Sequence, residues 1–487
     1  MSQRLAQWLP RSPEQRLFAG FVLLLLGGGA ATLLQGTPMA LLPLAAGVGL
    51  LLLLTEWRLL YYLLFVTLAF SREVGLPGGL SMDVPSEPLL LVLTGCVLAT
   101  LLLRPAAIPG RELRHPLVIL LLLMLLWAVV STTFSVDTTK SVKYLLAKTW
   151  YLVPFGLGTL LLVRRPQDLW RVAGLYTAGA CLTVFIVAVR HAAHGFSFES
   201  INESVQVLYR NHVIYATVLA LLLPFTLYGA RSSQGAARVA WRVGMVILLF
   251  GLITAYARAS VLALPVAGLF YGVARLRQTR LLLIVAVAGL VTGATYFLSQ
   301  NNYMLYAPEF EKTVFNGQNF SKHLEATYKL QDVSGMERVY RWVAAIRMTA
   351  AKPLVGSGPS TFYPEYKRYT VRSFRTYVSD NPEKSTTHNY FLLVLAEQGF
   401  PGLILFFILL GVALLTFEAL YHRTRPGSQP RYVLLACGMS FVIILFHLLL
   451  NELVEVDKIG SFFFLNLFML IRVGSWTRSE LANEVMG

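Results

Sequence analysis

Long apolar runs, almost free of charged residues, recur along this chain from Phe18 to its C-terminal region. Each run approaches the roughly 20 residues that an α-helix needs to cross a bilayer. Backbone amides and carbonyls find no water in lipid, so such runs fold as helices rather than as irregular segments. Only 14% of the 487 residues are charged, whereas about 25% is usual in a soluble domain. The sequence therefore predicts an all-α, polytopic membrane protein.

The apolar runs predict roughly 12 to 14 transmembrane helices. They lie at about 17–35, 38–54, 58–70, 88–103, 116–134, 144–163, 168–189, 212–229, 239–257, 260–274, 281–298, 389–420, 432–450 and 459–473. The second and third are short enough to form one bent or re-entrant element. We expect an N-terminal bundle of about eleven spans (1–298), a loop domain containing helices (299–387) and C-terminal membrane helices (388–487).

The formal net charge of +16 divides unevenly between the two sides of the membrane. With the N-terminus in the cytoplasm, every proposed cytoplasmic connection contains arginine, and the short loops opposite contain few basic residues. This asymmetry follows the positive-inside rule, since bases in short loops resist translocation. It places the long loop 299–387 outside, and it explains about half of the basic residues without a nucleic-acid partner.

The external loop contains a predicted helix that begins at the capping box Ser334–Glu337. Its apolar residues recur at helical spacing on one face, whereas Arg338 and Arg341 share another face and Arg347 projects elsewhere. The turn Gly356-Ser-Gly358 follows, and its glycines allow close backbone approach to a ligand. The alternative is a surface helix whose arginines are solvated.

A histidine stands where the external loop runs into the next apolar run. Ser385, Thr386 or Thr387 can cap a helix whose first turn holds His388 at the outer membrane surface. The helix dipole and the exposed amides make that end electropositive, which lowers a histidine pKa and favours bound anions. His388 could act as a general base or, beside a pyrophosphate, as a hydrogen-bond donor. The alternative is a hydrogen-bonded structural histidine.

Two arginines occupy positions where charge is costly. Arg258 lies in a tight external turn between two spans, and an arginine at the centre of a membrane helix costs roughly 2.5–3.5 kcal/mol. Arg210 and His212 end the external loop before another span, at the same predicted depth. Guanidinium groups match phosphate oxygens, so we predict a site for a lipid pyrophosphate. The alternative partner is a lipid headgroup or a carboxylate such as Asp137 or Glu203.

The order His388-Asn389, nine residues, then Gly399-Phe-Pro-Gly402 resembles the His-Asn-x9-Gly-x-x-Gly signature of the O-antigen ligase and O-antigen polymerase superfamily. The external loop is similar to that of the family over the series Glu337-Arg338, Trp342, Pro353, Gly356-x-Gly358 and Phe362. Arg347-x10-Gly358 is similar to a spacing of its polymerases. The resemblance covers roughly residues 205–475.

The resemblance implies a metal-independent, inverting glycosyltransferase of the bacterial inner membrane, without a cofactor and with a periplasmic active site. Such an enzyme transfers a glycan from undecaprenyl pyrophosphate to a hydroxyl of lipid A core (a ligase) or of another lipid-linked repeat unit (a polymerase). His388 and Arg258 are the implied catalytic residues, and Arg258 and Arg210 would hold the pyrophosphate. The other implied substrate-binding residues are His212, Asn389, Arg338, Arg341 and Arg347.

Three other functions stay open at this point. A protein-directed O-oligosaccharyltransferase would differ from a ligase in its acceptor, which sequence does not reveal. A lipid-glycan flippase or transporter would also have many spans and internal arginines, but it would not need a large external domain that ends at His388. A structural scaffold among the membrane lipids is the third alternative.

Overall fold

The computed structural model describes residues 47, 56–76, 80–300, 302, 333–374, 379–381 and 385–486. The chain separates into two compact units, residues 1–64 and 65–487. The described part of the first unit consists of Gly47 and residues 56–64, which include the beginning of helix α1 (Arg58–Leu68). There, Arg58 Nε lies 3.6 Å from Glu56 Oε1. The features described below belong to the second unit.

Long helices make up most of the second unit. In chain order they are α2 (Ser86–Leu103), α3 (Pro116–Thr133), α4 (Thr138–Leu152), α5 (Pro166–Ala192), α6 (His212–Ser232), α7 (Gly235–Thr254), α8 (Arg258–Arg275), α9 (Thr279–Leu298), α10 (Val333–Ala351), α11 (Tyr390–Arg423), α12 (Gln429–Leu448) and α13 (Asp457–Met486). Helix α4 continues through a π-helical turn at Val153–Gly158, which contains Pro154, into Thr159–Leu162. Within the described residues, 10 helices are long and apolar enough to cross a membrane.

The all-α, polytopic architecture predicted from the sequence is confirmed. The predicted spans 17–35 and 38–54 lie outside the described residues, apart from Gly47. The predicted span 58–70 corresponds to α1, which has 11 residues and is too short to cross a bilayer alone. Helix α8 also falls outside the 10 candidate spans, because it carries an arginine at each end.

A short antiparallel hairpin lies between α1 and α2 and was not predicted. Its strands are β1 (Arg72–Leu76) and β2 (Leu80–Val84), with Val74 opposite Met82. One-turn helices complete the described structure. They are Pro105–Ala107, Gly110–Leu113, Ile201–Val205, Phe362–Glu365, Tyr366–Tyr369, Arg372–Phe374 and Leu453–Glu455.

The interior of the second unit is formed around α6, α12 and α13. In the most apolar stretch of α6 and of α13, 89% of the residues are buried, whereas none is buried in the corresponding stretch of α9. At the centre, Phe462 of α13 packs against Tyr176 and Phe225, with ring centroids 5.1 and 5.4 Å apart. A helix that is apolar all round belongs either in a core or against lipid, so α9 is a lipid-facing helix.

One end of the bundle is tied together by a buried ion pair. Arg472 of α13 donates to Glu112 Oε1 at 2.8 Å, and Ser475 Oγ donates to the same oxygen at 2.7 Å. Glu112 lies in the connection between α2 and α3, 360 residues away from Arg472 in sequence. The pair therefore joins the beginning of the described bundle to its last helix.

Candidate active site

Helix α11 is interrupted at Gly399, where the backbone adopts φ 69° and ψ −172°. Residues with a side chain almost never adopt this conformation. The space is closed as well, because a Cβ at this position would lie 2.1 Å from Leu354 O. The next amide, Phe400 N, donates to Pro353 O at 2.9 Å. The break therefore lets the loop that follows α10 dock against the middle of α11.

Two further glycines bring this loop onto α11. Gly356 and Gly358 have φ angles of 68° and 102°. A Cβ at Gly356 would lie 2.2 Å from the carbonyl carbon of Glu397, and one at Gly358 would lie 2.2 Å from Ser135 Oγ. Gly358 N also donates to Glu397 O at 2.9 Å. The close backbone approach expected at these glycines is made to Glu397 and Ser135, and an approach to a ligand stays a prediction.

The side chain of Glu397 holds the same loop. It is only 4% exposed, and its carboxylate accepts hydrogen bonds from Ser360 N at 2.8 Å and Phe362 N at 2.9 Å. Phe362 begins a one-turn helix whose first amides have no partner within the helix. A buried carboxylate is tolerated where such donors satisfy it. Sequence analysis missed Glu397, although an isolated acid within an apolar run was its visible signal.

Helix α10 is tied to the segment before α11 by two side chains. Arg341 is 5% exposed, with Nη2 3.3 Å from Glu337 Oε2 and Nη1 donating to Thr386 O at 3.4 Å. Trp342 Nε1 donates to Thr387 O at 2.9 Å. Arg341 is therefore a buried, oriented cation, and the alternative of a solvated surface arginine does not apply to it.

Glu337 connects a further part of the loop to α10. The helix begins at Val333, one residue before the predicted cap Ser334. The Glu337 carboxylate accepts a hydrogen bond from Ser379 Oγ at 2.6 Å in addition to its pairing with Arg341. Because Ser334 already lies within the helix, the predicted capping box at Ser334–Glu337 is wrong, and Glu337 instead connects Arg341 to Ser379.

His388 lies immediately before α11 rather than in its first turn. The N-cap is Asn389, whose Oδ1 accepts a hydrogen bond from Leu392 N at 3.0 Å, and not Ser385, Thr386 or Thr387 as predicted. His388 itself has φ 52°, in the left-handed region that residues other than glycine rarely occupy. Such strained residues persist where surrounding contacts fix them, and they concentrate at functional sites.

Four side chains act on the imidazole of His388. Burial lowers the pKa of His388; the Glu452 carboxylate opposes this effect, Arg341 and Arg338 lower the pKa further, and a hydrogen bond with Asn451 raises it. The net direction is downward, so the neutral imidazole is favoured near neutral pH. A neutral imidazole held in this way can accept a proton from a hydroxyl.

The turn after α12 lies next to His388 and Asn389. Asn389 Nδ2 donates to Leu449 O at 3.1 Å, and Asn451 is close enough to His388 to raise its pKa. Glu452 has a buried Oε2 atom with no hydrogen-bond partner within the described residues. Sequence analysis did not identify Asn451 or Glu452, because a short polar loop between two spans is common and carries no motif.

Arg258 is the first residue of α8, whereas the sequence predicts it in the preceding turn. Two residues later, Ser260 Oγ lies 3.0 Å from Nε2 of the buried His447 in α12. His447 is next to the C-terminus of α12, directly before the turn that contacts His388. Arg258 and His388 therefore flank the same end of α12.

Arg210 and His212 have partners around β1 and the loop before α6. Arg210 pairs with Glu73 of β1, and His212 Nδ1 lies 2.7 Å from Asn202 Oδ1. The exposed fractions of the Arg210 and Glu73 side chains are 69% and 44%, so the pair contributes about 0–1 kcal/mol and leaves Arg210 able to exchange partners. Arg347 is exposed on α10.

Fold and site together define a multi-pass helical membrane protein. In it, a strained histidine lies between an arginine-bearing helix and an interrupted membrane helix. Residues 243–407 match the family model described as O-Antigen ligase. This match confirms the resemblance to the O-antigen ligase and polymerase superfamily. It includes Arg258, α10 and His388, whereas Arg210 and His212 precede it. No curated protein matches the sequence.

Proposed function

We propose that this protein is a membrane glycosyltransferase that moves a glycan from undecaprenyl pyrophosphate to a sugar hydroxyl. The family match supports a glycan-transferring enzyme of the ligase or polymerase type that uses lipid-linked substrates. The observation that carries the proposal is the position of His388. This half-buried histidine, with a lowered pKa, lies between Arg341 of α10 and the turn after α12, at the end of the bundle where Arg258 begins α8.

The proposed reaction uses these groups in complementary roles. His388 removes the proton of the acceptor hydroxyl while the hydroxyl oxygen bonds to the anomeric carbon of the glycan. The bond from that carbon to the pyrophosphate breaks, and its electron pair leaves on the phosphate oxygen. Attack from the side opposite the leaving group inverts the configuration. Arg258 stabilises the charge that develops on the leaving pyrophosphate, and Arg210 binds the same group; charge-assisted hydrogen bonds contribute about 1.5–3 kcal/mol each.

The remaining predicted residues complete the substrate site in this proposal. Arg338 and Arg341 supply positive potential next to His388, which attracts the anionic donor. Asn389 fixes the start of α11 through Leu392 N and Leu449 O. His212 and Arg347 are assigned to the glycan portion of the substrate, outside the reacting centre.

The proposed orientation places His388 on the periplasmic side of the bacterial inner membrane and the N-terminus in the cytoplasm. Arg423 ends α11 at the opposite end from His388. Arg111 and Arg423 are both close enough to Arg478 to interact electrostatically. A concentration of arginines at that end supports a cytoplasmic location for it, according to the positive-inside rule.

The direct test replaces His388 in the purified protein and measures glycan transfer from the lipid-linked donor. Because general base catalysis contributes roughly 10²- to 10⁴-fold, we expect His388→Ala to lower kcat by about that factor. His194→Ala, which changes an exposed histidine in another loop, should retain the parental rate. Transfer by His388→Ala at the parental rate would contradict the proposal, and retained movement of lipid-linked glycan without transfer would favour a flippase.

A second experiment separates ligase from polymerase, with which the family match is equally compatible. The protein receives lipid-linked glycan with lipid A core or without any other acceptor, and the products are sized. We expect discrete transfer to lipid A core, as for a ligase. A ladder of products on the carrier lipid would instead identify a polymerase.

A further inference from the structure

Glu452 is the group beside His388 to which the proposed reaction gives no role. Its Oε2 atom is buried and has no hydrogen-bond partner within the described part of the chain. After burial itself, this carboxylate has the largest effect on the pKa of His388. Leaving a carboxylate oxygen buried without a partner is costly, so its presence beside a strained histidine requires an explanation.

The backbone around the two residues fixes their relative positions. The side chain of Asn389, next to His388, donates to Leu449 O at 3.1 Å. Two residues further along, Asn451 is close enough to His388 to raise its pKa, and Glu452 follows directly. The hydrogen bond of Asn389 thus joins the start of α11 to the turn after α12, and it places Glu452 close enough for its charge to act on the imidazole.

The other charged groups around His388 explain why a carboxylate is needed there. Arg341 and Arg338 face it from α10, and both disfavour a positively charged imidazole. Two other acids are already paired, since Glu337 of α10 pairs with Arg341, and Glu455, in the same turn as Glu452, pairs with Lys148 at 2.8 Å. A proton arriving on His388 would therefore create a third adjacent cation unless Glu452 compensates for it.

We infer that Glu452 is a positioning residue that orients His388 and balances the positive charge that His388 acquires during transfer. The inference rests on the proposed function, because it assigns a partner to the same general base. In the reaction, the proton of the acceptor hydroxyl moves to the imidazole, and the resulting imidazolium remains beside the Glu452 carboxylate. The carboxylate keeps its own charge, and the proton returns to water after the pyrophosphate leaves.

The test is Glu452→Gln, which keeps the size of the side chain and removes its charge. We expect kcat to fall by about 10-fold, which is a part of the roughly 10²- to 10⁴-fold that a general base contributes, while KM for the lipid-linked donor stays close to the parental value. Loss of the negative charge destabilises the imidazolium, so the acidic limb of the kcat/KM profile should move to lower pH. Glu452→Asp should recover part of kcat, and its acidic limb should lie between those of Glu452→Gln and the parent.

Glu455→Gln is the matched control, because it neutralises another acid of the same turn whose partner is Lys148. Its acidic limb should coincide with that of the parent. Thermal unfolding of each variant in detergent identifies any loss of folded protein. An unshifted limb and a parental kcat for Glu452→Gln, together with an inactive His388→Ala, would overturn this inference alone. Parental activity of His388→Ala would instead overturn the proposed function.

Discussion

Arg258 and His388 occupy comparable positions, each beside the N-terminus of a helix that reaches the same end of α12. Helix α8 begins at Arg258, and α11 begins one residue after its cap, Asn389. The N-terminus of a helix presents unpaired amides and a positive dipole, and it favours anions. Two such termini, each with a basic side chain, make this end of the bundle suited to a pyrophosphate.

Replacement of Arg258 should weaken donor binding more than it affects folding. Loss of one charge-assisted hydrogen bond of about 1.5–3 kcal/mol corresponds to a roughly 10- to 100-fold higher Kd for undecaprenyl pyrophosphate in Arg258→Ala. Arg258→Lys should lie between this variant and the parent, because lysine keeps the charge but not the bidentate geometry. Equilibrium binding in detergent measures the effect.

Arg275→Ala provides the control for this measurement, since Arg275 ends the same helix at the opposite side of the bundle. It should bind the donor with parental affinity. If Arg258→Ala also binds with parental affinity, Arg258 is not part of the pyrophosphate site.

At the scale of elements, the break in α11 determines how the extramembrane part meets the membrane helices. The loop after α10 reaches residues 396–400 of α11 through three glycines, and Glu397 accepts two of its amides. The same loop continues directly from the helix that carries Arg338 and Arg341. The contacts at the break therefore set the position of these arginines relative to His388.

Gly399→Ala should destabilise the folded protein. The φ and ψ angles at Gly399 belong to a region that is almost exclusive to glycine, and occupying it with another residue costs on the order of 1–3 kcal/mol. The clash of the new methyl group with Leu354 O adds to this cost. We expect a lower Tm in detergent, accompanied by reduced transfer activity.

The matched control is Gly411→Ala, in the same helix α11. There the nearest atom to a Cβ is Leu283 Cδ1 at 3.8 Å, an ordinary contact, and alanine is favoured over glycine in a helix by roughly 0.5–1 kcal/mol. Its Tm should equal or exceed that of the parent. A Tm for Gly399→Ala as high as that of Gly411→Ala would show that the break tolerates a side chain.

At the scale of the whole molecule, contacts between distant parts of the chain hold the bundle together. Glu112 and Arg472 are the buried example, with exposed side-chain fractions of 2% and 10%. Such a pair is weak evidence for net stabilisation, but removal of one partner leaves an uncompensated buried charge.

Glu112→Leu should therefore lower the stability of the bundle by about 3–5 kcal/mol, measured as a loss of Tm in detergent. The double variant Glu112→Leu/Arg472→Leu should recover most of this loss, because two apolar side chains leave no charge without a partner. A double variant as unstable as the single one would indicate that Glu112 contributes through Ser475 or through packing instead of through Arg472.

The membrane helices could be predicted from sequence because apolar length is a local property. Helices α5 and α6 agree with the predicted spans within a few residues, whereas α4 begins at Thr138, six positions before the predicted 144, since Asp137 caps a polar first turn. His388 and the signature glycines could be recognised from their spacing. The roles of Glu397 and Glu452 could not be predicted, because they depend on Phe362 and His388, which are distant in sequence and come near only in the fold.

The interruption of α11 also has a consequence for where the reaction takes place. A straight helix of 34 residues would measure about 51 Å at 1.5 Å per residue, longer than the roughly 40–45 Å of a bilayer with its headgroups. The part from Phe400 to Arg423 measures about 36 Å and suffices for one crossing. The part from Tyr390 to Gln398 adds about 13 Å, so in the proposed orientation it would extend beyond this crossing and place His388 outside the hydrocarbon. Under the proposed function, donor and acceptor sugars would then meet at the level of the lipid headgroups, where their hydroxyls remain hydrated.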